Sequence, residues 1–167
     1  NKDYSIPQFV DENTLFIVSS YSGNTEETLY AMEAAEKQGA EIACVTSGGE
    51  IEKIARDKGY NCIIIPGGLP PRAAFGLAFP QLFYVLHQYN LISNEFEGGI
   101  EHAIKSINSN ESEIYQQAKY VAGCLKGTIP VIYTDASYEG VGVRFRQQLN
   151  ENSKMLCWHN AIPEMNH

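Results

Sequence analysis

The sequence predicts an α/β fold with a mainly parallel sheet between two layers of helices, a three-layer αβα arrangement. Short apolar runs alternate with helical segments along the chain, and this order builds a doubly wound parallel sheet. The first two helical segments end at Gly39 and Gly59, and glycine favours the left-handed conformation that closes a helix. We therefore expect ligand sites at the carboxyl ends of the strands, where such sheets bind them.

The first three predicted strands are short apolar runs, as expected for strands buried on both faces. They are TLFIVSS (14–20), EIACVTS (41–47) and NCIIIPGG (61–68). The segments between them are predicted helices, TEETLYAMEAAEKQG (25–39) and EIEKIARDKG (50–59).

The character of the chain changes after Arg72. The stretch AAFGLAFPQLFYVLHQYNL (73–91) is apolar almost all round, which predicts a buried helix that kinks or opens near Pro80. A more polar helical stretch follows, from about residue 94 to residue 125.

A second strand–helix–strand unit is predicted at the end of the chain. Its parts are IPVIYTD, SYEGVGVRFRQQLNENS and KMLCWHN. We therefore expect most of one α/β subdomain in residues 1–92, a helical connection in 93–127, and the beginning of a second subdomain in 128–167. Because the sequence lacks an initial methionine and stops directly after AIPEMNH, we expect it to be a portion of a longer protein.

The charge and the cysteines limit the class of protein. The chain has 20 acidic and 12 basic residues, a formal net charge of −8, so polyanions such as nucleic acids and membrane surfaces are not expected as partners. No apolar run approaches the roughly 18 residues of a membrane span. Four widely spaced cysteines without Cys-x-x-Cys pairs favour reduced, buried, structural thiols in a cytoplasmic protein. These are Cys44, Cys62, Cys124 and Cys157.

A cluster of hydroxyl residues follows the first predicted strand. Ser20, Ser22 and Thr25 surround the start of the next helix, whose unpaired amides and dipole favour an anion such as a phosphate monoester. Gly23 allows close approach of the backbone. The alternative interpretation is ordinary N-capping by Ser22, Asn24 or Thr25. The two are compatible, since a helix start capped by Asn24 or Thr25 can still direct amides at a phosphate.

The hydroxyl cluster also resembles a known signature. SSYSGNTEETL is similar to the phosphosugar-binding motif of sugar isomerase (SIS) domains, in which a strand ends in Ser-x-Ser-Gly-x-Thr. Together with PGGLPPRAAFG, RFRQQLNENSK and AIPEMNH, it resembles the bifunctional phosphoglucose/phosphomannose isomerase family. The resemblance implies an SIS fold with two SIS subdomains per subunit, and a homodimer that completes the active site.

The same resemblance assigns roles to individual residues. It implies that Arg72 is the cation beside the reacting carbons and that Glu164 is the catalytic base. It implies phosphate binding by Ser20, Ser22 and Thr25, in a substrate loop that also contains Tyr21 and Gly23. Without the resemblance, Arg72 and Glu164 have simpler interpretations, as residues at the starts of helices.

The implied reaction interconverts glucose 6-phosphate or mannose 6-phosphate with fructose 6-phosphate. A carboxylate can move the proton between neighbouring carbons, and a fixed guanidinium stabilises the enediolate that forms. This chemistry requires no cofactor and no metal, and we expect neither.

Two other functions stay open at this point. One is a non-catalytic SIS regulatory domain that binds a sugar phosphate, and the other is an α/β interaction domain whose serines are only caps. Two parts of the family pattern lie outside residues 1–167, namely an upstream Gly-Ser loop and a downstream ring-opening histidine. His167 belongs to the AIPEMNH motif and is not assigned that role.

Overall fold

The computed structural model describes residues 4–163. The chain divides into two compact units, Asn1–Ile100 and Glu101–His167, and each is described separately. The predicted subdomain boundaries at residues 92 and 127 stay predictions. In the described part of the chain, no helix is long and apolar enough to cross a membrane.

The first unit contains a parallel sheet of three strands in the order β1-β2-β3. The strands are β1 (Leu15–Ser20), β2 (Glu41–Thr46) and β3 (Asn61–Ile64). Ser20 pairs with Thr46, which pairs with Ile64, so all three strands end at the same edge of the sheet. All three predicted strands are confirmed.

Helices cover both faces of this sheet. They are α1 (Glu26–Lys37), α2 (Gly49–Lys58) and α3 (Phe75–Gln88). The side chains of α1 and α2 pack with Val18 and Cys44 on one face, whereas α3 packs with Ala43 and Val45 on the other. Because consecutive residues of β2 serve opposite faces, helices are needed on both sides. The predicted three-layer arrangement is confirmed.

The predicted helix stops at glycine are also confirmed. Gly39, just beyond α1, has φ +82°, and Gly59 at the end of α2 has φ +72°. Both values lie in the left-handed region that a glycine reaches without steric cost.

The prediction that α3 is buried is wrong for most of its surface. Among its residues only Val85 is fully buried, and Phe75, Phe79 and Tyr84 are exposed. The sheet of this unit can cover only one side of the helix, although the helix is apolar almost all round. The helix also runs unbroken through Pro80.

The polar stretch that follows forms two helices, α4 (Phe96–Ser109) and α5 (Glu111–Leu125), which separate at Asn110. The first of them contains the boundary between the two units.

The second unit contains a parallel pair of strands with a helix between them in sequence. They are β4 (Val131–Asp135), α6 (Glu139–Asn152) and β5 (Trp158–Ile162). The strand–helix–strand prediction is confirmed, but β5 begins later than the predicted run KMLCWHN. Lys154, at the start of that run, has φ +54°, which no strand residue adopts.

All four cysteines are free thiols, as predicted. Cys44 and Cys157 are buried and Cys62 is partly buried, but Cys124 is exposed, so the prediction of burial is wrong for Cys124. It lies on α5, a helix without buried residues among those described.

Candidate functional site

Ser20 and Thr25 bring two of the predicted hydroxyls into direct contact. Ser20 is the last residue of β1 and is only 6% exposed, and Thr25 immediately precedes α1. Their oxygens are 2.8 Å apart, within hydrogen-bonding distance. Each hydroxyl has one hydrogen to donate, so the pair keeps one hydrogen available for a third group.

Ser22 lies in the exposed part of the same loop. Its Oγ accepts a hydrogen bond from the backbone amide of Asn24 at 3.3 Å. Because this bond uses a lone pair, the hydroxyl hydrogen of Ser22 can still be donated to a ligand.

The start of α1 has no side-chain cap, although the sequence offers two capping residues. Thr25 occupies the N-cap position, but its side chain makes no capping hydrogen bond. Asn24 directs its side-chain oxygen to the amide of Glu50 in the first turn of α2, at 3.0 Å. Neither side chain therefore caps α1, contrary to the alternative interpretation of the sequence, and the amides of Glu26 and Glu27 remain available to an anion.

Gly23 is held against the loop that follows β2. It is buried with φ +67°, and a β-carbon at this position would lie 1.7 Å from the carbonyl oxygen of Gly48. Its own carbonyl accepts a hydrogen bond from Ile51 at 3.0 Å. Glycine is required at position 23 because the two loops meet backbone to backbone.

The last residue of β2 and the loop after it, residues 46–50, contribute to the site and were not predicted to do so. Ser47 donates two hydrogen bonds to the carbonyl oxygen of Tyr21, from its amide at 3.0 Å and from Oγ at 2.5 Å. The buried hydroxyl of Thr46 donates to the carbonyl of Gly48 at 2.8 Å. The two adjacent glycines of TSGGE could have predicted this contact, because glycines directly after a strand often mark a place where another backbone approaches closely.

Tyr21 connects the hydroxyl loop to the segment after β3. Its hydroxyl donates to the carbonyl of Pro66 at 3.1 Å and accepts from the amide of Leu69 at 2.9 Å. Arg72 lies a few residues further, in an exposed turn of 3₁₀ helix at Pro71–Ala73. The structure thus joins the predicted phosphate loop and the Arg72 segment at one edge of the sheet. Glu164 and His167 lie outside the described residues.

The charges around the loop explain what kind of anion site it can be. Glu26 and Glu27 occupy the first turn of α1 and Glu50 that of α2, all of them exposed to solvent. An anion bound at the start of α1 would therefore be held mainly by directed hydrogen bonds from hydroxyls and amides, with Arg72 as a positive charge from the neighbouring segment.

The corresponding loop of the second unit is chemically different. At the end of β4, the carboxylate of Asp135 accepts hydrogen bonds from both the amide and the hydroxyl of Ser137, at 2.9 Å and 2.6 Å. These bonds lower the pKa of Asp135 below its usual value. A carboxylate at this position would repel a phosphate. The loop after β4 therefore does not repeat the chemistry of the hydroxyl cluster in the first unit.

Comparison with known proteins identifies the family. Residues 114–167 match the bacterial phospho-glucose isomerase C-terminal SIS domain. A bifunctional phosphoglucose/phosphomannose isomerase from Thermoplasma acidophilum is 41% identical over 169 residues, covering 99% of this chain and 50% of that protein. The chain belongs to the bifunctional phosphoglucose/phosphomannose isomerase family. It spans about half the length of the curated relatives it matches.

One relative of this chain is named for a different activity. A D-glucosamine-6-phosphate 4-epimerase from Sulfolobus acidocaldarius is 32% identical over 159 residues, covering 95% of the chain and 50% of that protein. Membership of the family therefore does not by itself determine the reaction.

Solved structures agree with the SIS fold expected for the family. A chain from Clostridium difficile 630 has a TM-score of 0.67 at 19% identity, covering 96% of this chain and 49% of that one. The tagatose-6-phosphate ketose/aldose isomerase of Escherichia coli has a TM-score of 0.65 at 14% identity, covering 92% and 44%. At these identities the likeness concerns the fold alone.

Proposed function

We propose that this chain contributes the phosphate-binding loop and the arginine segment of an aldose–ketose isomerase. The substrates are glucose 6-phosphate and mannose 6-phosphate, and both give fructose 6-phosphate. The observation that carries the proposal is the uncapped start of α1, surrounded by the hydroxyls of Ser22 and Thr25 at the carboxyl end of β1.

In this proposal the phosphate lies against the first turn of α1. Ser22 donates to it directly, since its oxygen already accepts from Asn24. Thr25 donates its hydrogen to the phosphate while its oxygen accepts from Ser20. Charge-assisted hydrogen bonds contribute about 1.5–3 kcal/mol each, so a few of them account for micromolar to millimolar binding of about 4–8 kcal/mol.

The reacting carbons then lie beside the segment after β3. Arg72 stabilises the negative charge that spreads over two oxygens in the enediolate, more than it stabilises the neutral sugar. In the aldose-to-ketose direction, Glu164 removes the proton from C2 and returns it to C1, while the hydroxyl proton of O2 passes to O1. A guanidinium suits this role because it stays protonated at every working pH.

The proposal also includes the setting of the reaction. Following the family resemblance, we propose a cytoplasmic homodimer in which the partner subunit helps to complete the active site.

The decisive experiment uses the full-length protein with glucose 6-phosphate, mannose 6-phosphate and fructose 6-phosphate in deuterium oxide. We expect interconversion of all three sugars, with solvent deuterium entering at the carbon next to the carbonyl. Glu164→Gln should keep sugar-phosphate binding and lose this exchange. Glu151→Gln, which changes an exposed carboxylate on α6, is the matched control and should exchange normally.

Other results would support the alternatives. Binding of fructose 6-phosphate without any turnover would favour a non-catalytic SIS regulatory domain. No binding at all would favour an interaction domain. Conversion of a sugar phosphate at C4 without isomerisation would favour epimerisation, the activity named for the Sulfolobus acidocaldarius relative. Undiminished exchange in Glu164→Gln would remove Glu164 as the base.

A further inference from the structure

The hydroxyl of Tyr21 occupies a bridging position within the loop that follows β3. In a closed β-turn, the carbonyl of the first residue accepts a hydrogen bond from the amide of the fourth. Here the phenol bonds both groups of residues 66–69, donating to Pro66 at 3.1 Å and accepting from Leu69 at 2.9 Å. The side chain thus bridges the two ends of residues 66–69, a segment that turns sharply through bends at Gly68 and Leu69.

The turn needs such support because of its composition. Its two central residues are Gly67 and Gly68, and Gly68 has φ +89°. A pair of glycines loses more conformational freedom on ordering than any other pair. The two hydrogen bonds to the phenol hydroxyl therefore offset part of the entropy that this turn loses when it is held in one conformation.

The chain beyond the turn is stiff. Leu69 is followed by Pro70 and Pro71, whose rings restrict φ, and Arg72 comes next. The amide of Ala73 then donates to the carbonyl of Pro70 at 2.8 Å, which closes the turn of 3₁₀ helix around Arg72. We therefore expect a displacement of Leu69 to move Arg72 as well.

The backbone of Tyr21 is held by the loop that follows β2. Its carbonyl accepts both hydrogen bonds from Ser47, and its ring packs in the apolar cluster under α3. Since Tyr21 lies between Ser20 and Ser22 in sequence, the same residue connects the hydroxyl loop to the arginine segment.

We propose that Tyr21 is a positioning residue that sets the location of Arg72 relative to the phosphate loop. This inference rests on the proposed function and deepens it. Tyr21 then acts through Arg72, and its hydroxyl need not touch the substrate. The open-chain sugar between the bound phosphate and the reacting carbons has a limited length, so the two protein segments must be held at a matching separation for the guanidinium to meet the enediolate.

The test compares Tyr21→Phe with Tyr89→Phe in the full-length protein. Tyr89 packs in the same apolar cluster and also makes two side-chain hydrogen bonds, with Glu41 and Asn61, each at 2.6 Å. Glu41 and Asn61 begin β2 and β3, at the opposite edge of the sheet from the site. The control therefore loses similar bonds without touching the arginine segment.

We expect Tyr21→Phe to lower kcat for fructose 6-phosphate by roughly tenfold or more, as a misplacement of about 1 Å does in other enzymes. KM should change little, because the hydroxyls of Ser22 and Thr25 that we propose to bind the phosphate are still present. Tyr89→Phe should keep both kinetic constants. If both variants lose kcat equally, or if Tyr21→Phe keeps full kcat, the positioning role is wrong.

A second measurement separates this inference from the proposed function. Hydrogen–deuterium exchange reports local opening of the backbone, and we expect faster exchange in the peptide spanning residues 66–75 of Tyr21→Phe but not of Tyr89→Phe. A wild-type protein without isomerase activity would overturn the proposed function, and the exchange result would then decide whether Tyr21 holds the segment. Unchanged exchange in Tyr21→Phe would overturn the inference even in an active enzyme.

Discussion

The side-chain oxygen of Asn24 accepts a hydrogen bond from the backbone amide of Glu50, at 3.0 Å. A residue from the loop before α1 therefore caps the start of α2. The same bond joins the loops at the ends of β1 and β2. Thr25, the N-cap residue of α1, makes no capping hydrogen bond and its hydroxyl contacts Ser20 instead, so the dipole at the start of α1 can act on a ligand.

Replacing Asn24 tests this division of roles. Asn24→Ala removes the acceptor for Glu50, and we expect it to lower the free energy of unfolding by about 1 kcal/mol, the usual cost of a lost N-cap. Asn24→Asp keeps an oxygen in place and should be nearly as stable as the wild type. Chemical denaturation measures both, and equal stability of Asn24→Ala and the wild type would contradict the capping role.

Asn24→Asp should also change the affinity for the substrate. It adds a negative charge to the loop that we propose to face the phosphate, so fructose 6-phosphate should bind more weakly although the fold is kept. Titration calorimetry on the full-length protein measures this, and unchanged affinity would place the phosphate elsewhere.

The local features of this fold were predictable from sequence because they depend on neighbouring residues. Apolar runs predicted all three strands of the first sheet, and glycines with positive φ marked the ends of α1 and α2. The burial of α3 was not predictable, since an apolar helix shows no polar side that reveals how much of it a sheet covers.

The arrangement of the site was predictable only in part. The motif placed Ser20 and Thr25 near each other, and their 2.8 Å contact agrees with that. The partners of Tyr21 lie 45 and 48 residues further along the chain, and nothing local to Tyr21 indicates them. The resemblance placed Tyr21 in the substrate loop, but it gave no indication that the hydroxyl of Tyr21 bonds the backbone of another loop.

Gly23 provides a test of how tightly the two loops meet. Gly23→Ala forces a β-carbon to within 1.7 Å of the carbonyl oxygen of Gly48, in addition to the unfavourable φ. We expect about 1–2 kcal/mol of destabilisation from the left-handed conformation and a further 1–3 kcal/mol or so from overpacking. Thermal and chemical unfolding of the variant measure the sum.

Gly59→Ala is the matched control for this variant. Gly59 has φ +72°, close to the +67° of Gly23, but a β-carbon added at Gly59 would have no neighbouring atom within 4 Å. The free energy of unfolding of Gly59→Ala should fall only by the cost of the left-handed conformation, about 1–2 kcal/mol. Similar losses in the two variants would mean that the loops separate at little cost.

Cys44 gives a prediction about reactivity. Burial, with a smaller effect of the neighbouring Cys62, raises the pKa of the Cys44 thiol to about 12, and the thiolate is the reactive form. In folded protein at about pH 8.5, near the ordinary thiol pKa, iodoacetamide should modify the exposed Cys124 and spare Cys44. Peptide mass mapping measures both sites in one sample, and denatured protein, in which both react, is the control. Equal labelling in the folded state would contradict the burial.

The same pKa shift predicts a loss of stability in alkaline solution. In the unfolded chain the Cys44 thiol releases its proton near its ordinary value of 9.0, whereas the folded protein keeps the proton until about 12. The unfolded state is therefore stabilised as the pH rises through this window, and the free energy of unfolding should fall. Denaturation at about pH 8 and about pH 10.5 measures the fall, which should be smaller in Cys44→Ala.

The contact between Ser20 and Thr25 predicts an unequal contribution to phosphate binding. In our proposal Thr25 donates to the phosphate and Ser20 donates to Thr25, so Thr25→Val should weaken the binding of fructose 6-phosphate by roughly tenfold or more, the loss of one charge-assisted bond of about 1.5–3 kcal/mol. Ser20→Ala should cost less, because Ser20 is 6% exposed and acts by orienting its neighbour.

The double variant distinguishes this relay from two separate contacts. If Ser20 acts through Thr25, then Ser20→Ala has no further effect on affinity in a protein that already carries Thr25→Val. The coupling free energy from the double-mutant cycle then equals the binding free energy lost in Ser20→Ala alone. Titration of the four full-length proteins with fructose 6-phosphate supplies the cycle, and their melting temperatures exclude unfolding. Additive losses would mean that both hydroxyls contact the phosphate, because independent contacts show no coupling.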